Sequence, residues 1–192
     1  MTTSAFDKST SLTDHFLIAM PSLQDPYFAN SVIYVMQHNE SGAFGIVINH
    51  PIKMALSDIL DQLGMEDLRP ASAPQIVLSG GPVEREKGFV LHDATPDWPS
   101  SLAIRPGLTL TTSRDILDAI GRNVGPARYL VALGCSGWSP GQLEQELKEN
   151  SWFTCAATEE IIFSTDFTNK PNMAAATLGF TMAQLTSDVG YS

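Results

Sequence analysis

SVIYVMQHNESGAFGIVIN, residues 31–49, decides the fold class. Ser31 to Gln37 and Phe44 to Asn49 are rich in β-branched and aromatic residues, which suit a pleated surface, and Asn39-Glu40-Ser41-Gly42 between them is a turn cluster. Two such runs joined by a loop of four to six residues predict an antiparallel hairpin. A sheet that contains a hairpin is not the purely parallel sheet of βαβ proteins, so everything around this stretch is read for mixed architecture.

Upstream, Phe16 to Met20 predicts a strand stopped by Pro21. Downstream, Leu56, Ile59, Leu60 and Leu63 recur at i, i+3, i+4 and i+7, one face of a short helix that Gly64 ends. Gln75 to Leu78, Lys87 to His92, Leu102 to Ile104 and Leu108 to Leu110 read as strands, the last two split by Pro106-Gly107. Thr112 opens a helix with Asp115 as its reciprocal cap, and Ile116, Leu117 and Ile120 face inward. Tyr129 to Leu133 is an apolar run expected to form a central strand. Ser139-Pro140-Gly141-Gln142 has the form of a capping box with proline at the first helical position, predicting a helix that turns Leu143 and Leu147 inward, pairs Glu144 with Lys148 and stops at Asn150. Trp152 to Ala156 and Ile161 to Phe163 read as strands about a Thr158-Glu159 turn, Met173 to Leu178 as a helix, and the remainder as a loose tail. About ten strands mixed with short helices, without regular alternation, give an α+β fold.

A chain of 192 residues favours one domain, here residues 12–192 behind a polar, flexible leader at 1–11. At that size folding hides roughly 70% of the unfolded surface, enough for a core without staples. Lys+Arg total 11 against 21 Asp+Glu, a formal charge of −10. The arginines are dispersed, and no helix-turn-helix pattern is present, so direct nucleic-acid binding is disfavoured. Cys135 and Cys155 lie in no metal-type spacing and fit a reducing compartment. The N-terminus lacks the pattern of a signal peptide, and no apolar run approaches the ~20 residues of a membrane span. The expectation is a cytoplasmic protein with no membrane association.

Four stretches together resemble the bacterial AlgH/YqgE family: residues 17–51, 79–92, 132–153, and a Leu-Gly followed by Ser-Asp-x-Gly over 178–190. The resemblance covers nearly the whole chain. It implies an α+β domain in which a branched, bent mixed β-sheet closes into a pseudo-barrel flanked by short helices. It also implies a regulatory association, since one family member is linked to control of alginate synthesis, but no family-wide reaction. Two places depart from the family pattern. Cys135-Ser136 stands where an aromatic or His followed by Ala is commoner, and Pro171 stands near a common Trp, which predicts weaker packing of the last helix.

Gly134-Cys135-Ser136-Gly137 and Ser79-Gly80-Gly81-Pro82 are each expected as a glycine turn after an interior strand. The first lacks the spacing of a nucleophile elbow and the second lacks a phosphate-loop lysine. The expectation is that the two turns meet and bracket a hollow beside Trp138, into which Gln142 and Glu146, one helical turn apart, both point. Asn49, Ser79, Gly80, Gly81, His92, Gly134, Gly137, Trp138, Gln142 and Glu146 form the candidate ligand-binding set. Asn49, His50, Ser79 and His92 lie at strand ends that can converge on one rim. No metal site, cofactor motif or complete catalytic set is present. The favoured reading is a regulatory module that binds a small molecule or protein partner. The alternative is a hydrolase-like enzyme using His92 or a Cys135 thiol activated by the following helix.

Overall fold

A computed structural model describes residues 10–71, 75–94 and 98–188. Most of the expected leader, residues 1–9, and the last four residues of the tail lie outside the described residues. The hairpin forms as β2 (Val32–Asn39) and β3 (Gly42–Val47). Its loop is shorter than expected: Asn39 pairs with Gly42, leaving two residues between the strands, and a bulge between Val35 and Gln37 absorbs the extra residue.

β1 (His15–Ala19) lies between β2 and β10 (Trp152–Ala156), antiparallel to both. On its far side β3 joins β9 (Tyr129–Trp138). β6 (Val83–His92), β8 (Leu108–Thr111) and β7 (Ser101–Arg105) continue the sheet antiparallel, in the order β10-β1-β2-β3-β9-β6-β8-β7. A branch leaves β9 through β5 (Ile76–Ser79), which pairs parallel to it and carries β4 (Pro51–Ala55) at its outer edge. The result is the branched, curled half-barrel with short helices that the resemblance implied. The two ends of the curl are tied by charge. Arg105 of β7 donates to Asp14 (3.0 Å) just before β1, and the same carboxylate oxygen accepts from the Tyr34 hydroxyl (2.9 Å). Burial and the Asp14 charge together push the Tyr34 phenol far above its ordinary pKa.

Both faces of the sheet are covered, which explains its continuous apolar runs. Phe16, Ile18, Tyr34, Ile46, Phe89 and Leu91 point into the curl and form the main core. The alternate residues Leu17, Ile33 and Val35 pack outside against Trp138 and α3 (Gln142–Lys148). Val77, Val90 and Val131 pack under α1 (Leu56–Gln62) and α2 (Arg114–Gly121).

Several expectations are corrected. β9 does not end at Leu133 but runs on to Trp138. α3 begins at Gln142, with left-handed Gly141 before it, so Pro140 is outside the helix, and only half the capping box forms, from Ser139 N–H to the Gln142 side chain. α2 begins at Arg114 after Ser113, so Thr112 is not its cap. Residues 161–163 are not a strand. They belong to α4 (Glu159–Phe163), whose start is capped by the Thr158 side chain, so the Thr-Glu pair read as a turn is an N-terminus. The expected loose tail contains α6 (Met182–Asp188). Pro171 is buried in the first turn of α5 (Lys170–Ala176), where its missing N–H has no partner to lose.

Lys170, beside that proline, is fully buried. Its ammonium donates to the carbonyls of Ile48 and Ile162, both at 2.9 Å, and so fastens α5 and α4 to the end of β3. The Phe167 ring centroid lies 5.0 Å away. Both acceptors are neutral, and burial pushes the lysine pKa down to about 7. Between that value and the ordinary lysine range the unfolded chain holds a proton that the folded chain does not, so this residue makes stability rise with pH through that window. Urea denaturation at pH 7 and pH 10 should show the unfolding free energy of the wild type rising relative to Lys170→Met by roughly 2–4 kcal/mol. Parallel pH profiles for the two proteins would contradict this account of Lys170.

Candidate functional site

The two glycine segments do meet, but backbone against backbone. Gly80 N–H donates to the Leu133 carbonyl (2.8 Å), the Gly80 carbonyl accepts from Val47 N–H (2.9 Å), and the Ser136 hydroxyl donates to the same carbonyl (3.1 Å). A Cβ on Gly80 would collide with the Gly134 carbonyl oxygen, and one on Gly134, at φ 77°, would collide with that of Gly81. Among the described residues no hollow separates them. The contact is where β9 changes neighbours. Val131 to Leu133 pair with β5, and Ser136 to Trp138 pair with β3.

Trp138, Gln142 and Glu146 are together, one step further along β9. The half-buried Glu146 carboxylate accepts from the indole N–H of Trp138 (2.9 Å) and of Trp152 (2.8 Å), and from the Gln142 amide (3.0 Å). Phe28 stacks on Trp138 and meets Trp152 edge-on. This is a filled aromatic clamp. The depression beside it, about 150 Å³, is lined by Gln37, Asn39, Ser41, Gly42, Ala43, Phe44 and Trp138 and not by the carboxylate.

The remaining predicted residues are dispersed. Asn49 staples the hairpin to the chain before it, accepting from Val32 N–H (2.8 Å) and donating to the Asn30 carbonyl (2.9 Å). Ser79 N–H donates to the His50 carbonyl, so those two are neighbours, but His92 is not on their rim. It pairs with Tyr129 where Ser79 pairs with Leu133, four residues along β9, about 13 Å at ordinary strand rise.

The protons around His92 can be assigned. The Ser101 hydroxyl donates to the Trp98 carbonyl (2.7 Å), so in its contact with Thr111 (2.6 Å) it accepts. Thr111 therefore accepts from His92 Nε2–H at 2.8 Å. The ring acts as a donor, its Nδ1 is buried without a hydrogen bond, and burial lowers its pKa. A base that activates a hydroxyl needs the opposite polarity. Cys135 is equally unsuited to attack. Its thiol is buried and raised to about 11 by desolvation, with the Glu84 charge adding to the effect, and α3 starts too far along the chain to lower it.

A largely apolar opening lies elsewhere, between α1, α2 and the outer face of β6 and β9. It has a volume of about 510 Å³. Ile59, Leu63, Val90, Leu117, Val131 and Leu133 line it, and Arg85, Glu86 and Arg114 stand at its edge. Gly88 leaves the β6 wall open, for a Cβ there would meet nothing within 4 Å.

With this geometry in view, comparison with known proteins is decisive for kinship. The family model described as AlgH-like matches residues 16–183. The chain belongs to the AlgH-like family. Curated family relatives include a UPF0301 protein from Vibrio parahaemolyticus, 48% identical across 94% of this chain and 99% of its own length, and one from Xanthomonas axonopodis, 45% identical across 95% and 97%. The solution structure of the AlgH protein from Pseudomonas aeruginosa superposes with a TM-score of 0.76 at 41% identity, over 97% of this chain and 98% of that one. A protein from Corynebacterium diphtheriae, at 20% identity and a TM-score of 0.65, shares the fold over 83% of this chain.

Two features of this AlgH-like chain escaped sequence reasoning. Lys170 has no local pattern that marks it as buried. The opening between α1 and α2 is assembled from residues of four separated segments, and a local trace of it is Gly88, a glycine within a strand.

The clamp makes a specific prediction. Glu146→Ala leaves two indole N–H groups without their acceptor and should destabilise the fold by roughly 2–4 kcal/mol. Glu146→Gln keeps an oxygen for both indoles, loses only the Gln142 contact and should cost about 1 kcal/mol or less. Chemical denaturation followed by tryptophan emission reads both, and equal effects for the two variants would show that the carboxylate does not hold the rings.

Proposed function

We propose that this chain is a ligand-binding module that acts through a partner rather than by catalysis. The observation that carries the reading is the opening between α1 and α2. Its volume of about 510 Å³ lies within the range of small-molecule sites, and its largely apolar lining carries a few polar groups, among them Thr112, Ser113 and the exposed Arg85, Glu86 and Arg114. The buried, proton-donating His92 and the buried, raised Cys135 count against the hydrolase reading. In this proposal Ser79, Gly80, Gly81, Gly134 and Gly137 act as the frame that sets β9 beside β5 and β6, and Trp138, Gln142 and Glu146 fix α3 at its far end. The regulatory role is indirect and cytoplasmic. A formal charge of −10 supports action through a protein or small molecule rather than on nucleic acid.

Gly88→Trp tests the reading. Gly88 has backbone angles open to other residues and free space where its side chain would go, so an indole can fill the opening without displacing the strand. Wild-type protein incubated with a bacterial small-molecule extract and examined by native mass spectrometry should retain a ligand. Gly88→Trp should melt within a few degrees of wild type and retain none. Equal retention by both proteins would place binding away from this opening.

A further inference from the structure

The chemistry of the occupant is written in the ion pairs. The sequence has six arginines: Arg69, Arg85, Arg105, Arg114, Arg122 and Arg128. Four of them bond carboxylates: Arg69 with Asp61, Arg105 with Asp14 and Glu159, Arg122 with Asp118, and Arg128 with Asp93 and Glu159. In a chain with nearly twice as many acids as bases, pairing is the expected state of an arginine. Among the described residues, Arg85 and Arg114 alone of the six have no carboxylate within 4 Å, and both stand at the edge of the opening between α1 and α2. Both are held in place without one. The Arg85 guanidinium lies 5.6 Å from the Tyr27 ring centroid, and Arg114 donates to the Leu63 carbonyl, bridging α2 to the end of α1. Glu86 is the one carboxylate in the lining beside them, so the charged groups that line this opening sum to +1 on an acidic molecule, although Arg114 also borders the neighbouring depression that holds Asp67, Asp115 and Asp118. Below it the lining turns apolar, with Ile59, Val90, Leu117 and Leu133.

Resting on the ligand-binding reading above, we infer that the occupant is an amphipathic organic anion, with a carboxylate or phosphate head held by Arg85 and Arg114 and an apolar body lying against α1, α2 and the sheet. A guanidinium receives such a head through charge-assisted hydrogen bonds, and the desolvated walls receive the tail. An anion without a tail gains too little at a solvent-exposed mouth to bind well, and a tail without a charge leaves both guanidiniums without an anionic partner.

Isothermal titration with decanoate, 1-decanol, octyl phosphate and acetate tests this on the full chain. Decanoate and octyl phosphate should bind at least about tenfold more tightly than decanol, and acetate should not bind measurably. The Arg85→Gln, Arg114→Gln double variant should bring decanoate down to the level of decanol, and Gly88→Trp should abolish binding of all. Equal affinity for decanoate and decanol, unchanged in the double variant and lost in Gly88→Trp, would overturn the anionic class while leaving the opening as a binding site. Decanoate binding that persists in Gly88→Trp would overturn both. Failure of all four probes on wild type would overturn the anionic class, with the extract experiment deciding the opening itself. Sedimentation of the free protein supplies one more check, for a dimer that Gly88→Trp dissolves would assign the opening to a second copy of the chain.

Discussion

Close backbone contact among Gly80, Gly81 and Gly134 allows one strand to serve three neighbours. β9 pairs with β6 along one edge while its other edge is divided, the first half held by β5 and the second by β3. At the division the carbonyls of Gly81 and Gly134 occupy the volume that side chains would need, and the left-handed turn of Gly134 swings the strand from one partner to the next. Ser136, Val47 and Leu133 saturate the polar groups that the division leaves facing inward.

That division distributes the apolar side chains. Because the sheet forks, it has an inner face inside the curl and two separate outer patches, one covered by α3 and one by α1 and α2. The α3 patch is sealed by Trp138, Trp152 and Phe28 around the Glu146 carboxylate. The patch under α1 and α2 is left ajar, because Gly88 presents no side chain there and Arg85 and Arg114 border the gap instead of filling it. The contrast between a closed and an open outer face follows from the residues that β9 and β6 send outward on each side.

Much of this was legible in the sequence, and the failures have physical causes. Strand-forming runs, the α1 stripe and the family resemblance led to the right fold class, since those signals are local. The glycine segments were correctly expected to meet, but the hollow between them was inferred from glycine content, which marks close approach as readily as open space. Cys135-Ser136-Gly137 reads as a turn because glycine and serine favour turns, whereas pairing of Cys135 with β6 and of Ser136 and Gly137 with β3 holds it as strand. Thr158-Glu159 offers a turn signal and a helix-start signal at once, and packing of Ile161 and Ile162 into the curl decided between them. Gln142 and Glu146 were rightly placed beside Trp138, but the second indole, that of Trp152, comes from a strand the local spacing does not reach.

The fork also bears on synthesis. β3, β5 and β6 leave the ribosome well before β9, and each depends on β9 for a completed ladder. Until residue 138 has been added, the nascent chain carries apolar strands whose shared neighbour does not yet exist, so cooperative folding waits on the last third of the chain. Over that interval the excess of acidic residues is the feature of the chain that opposes aggregation.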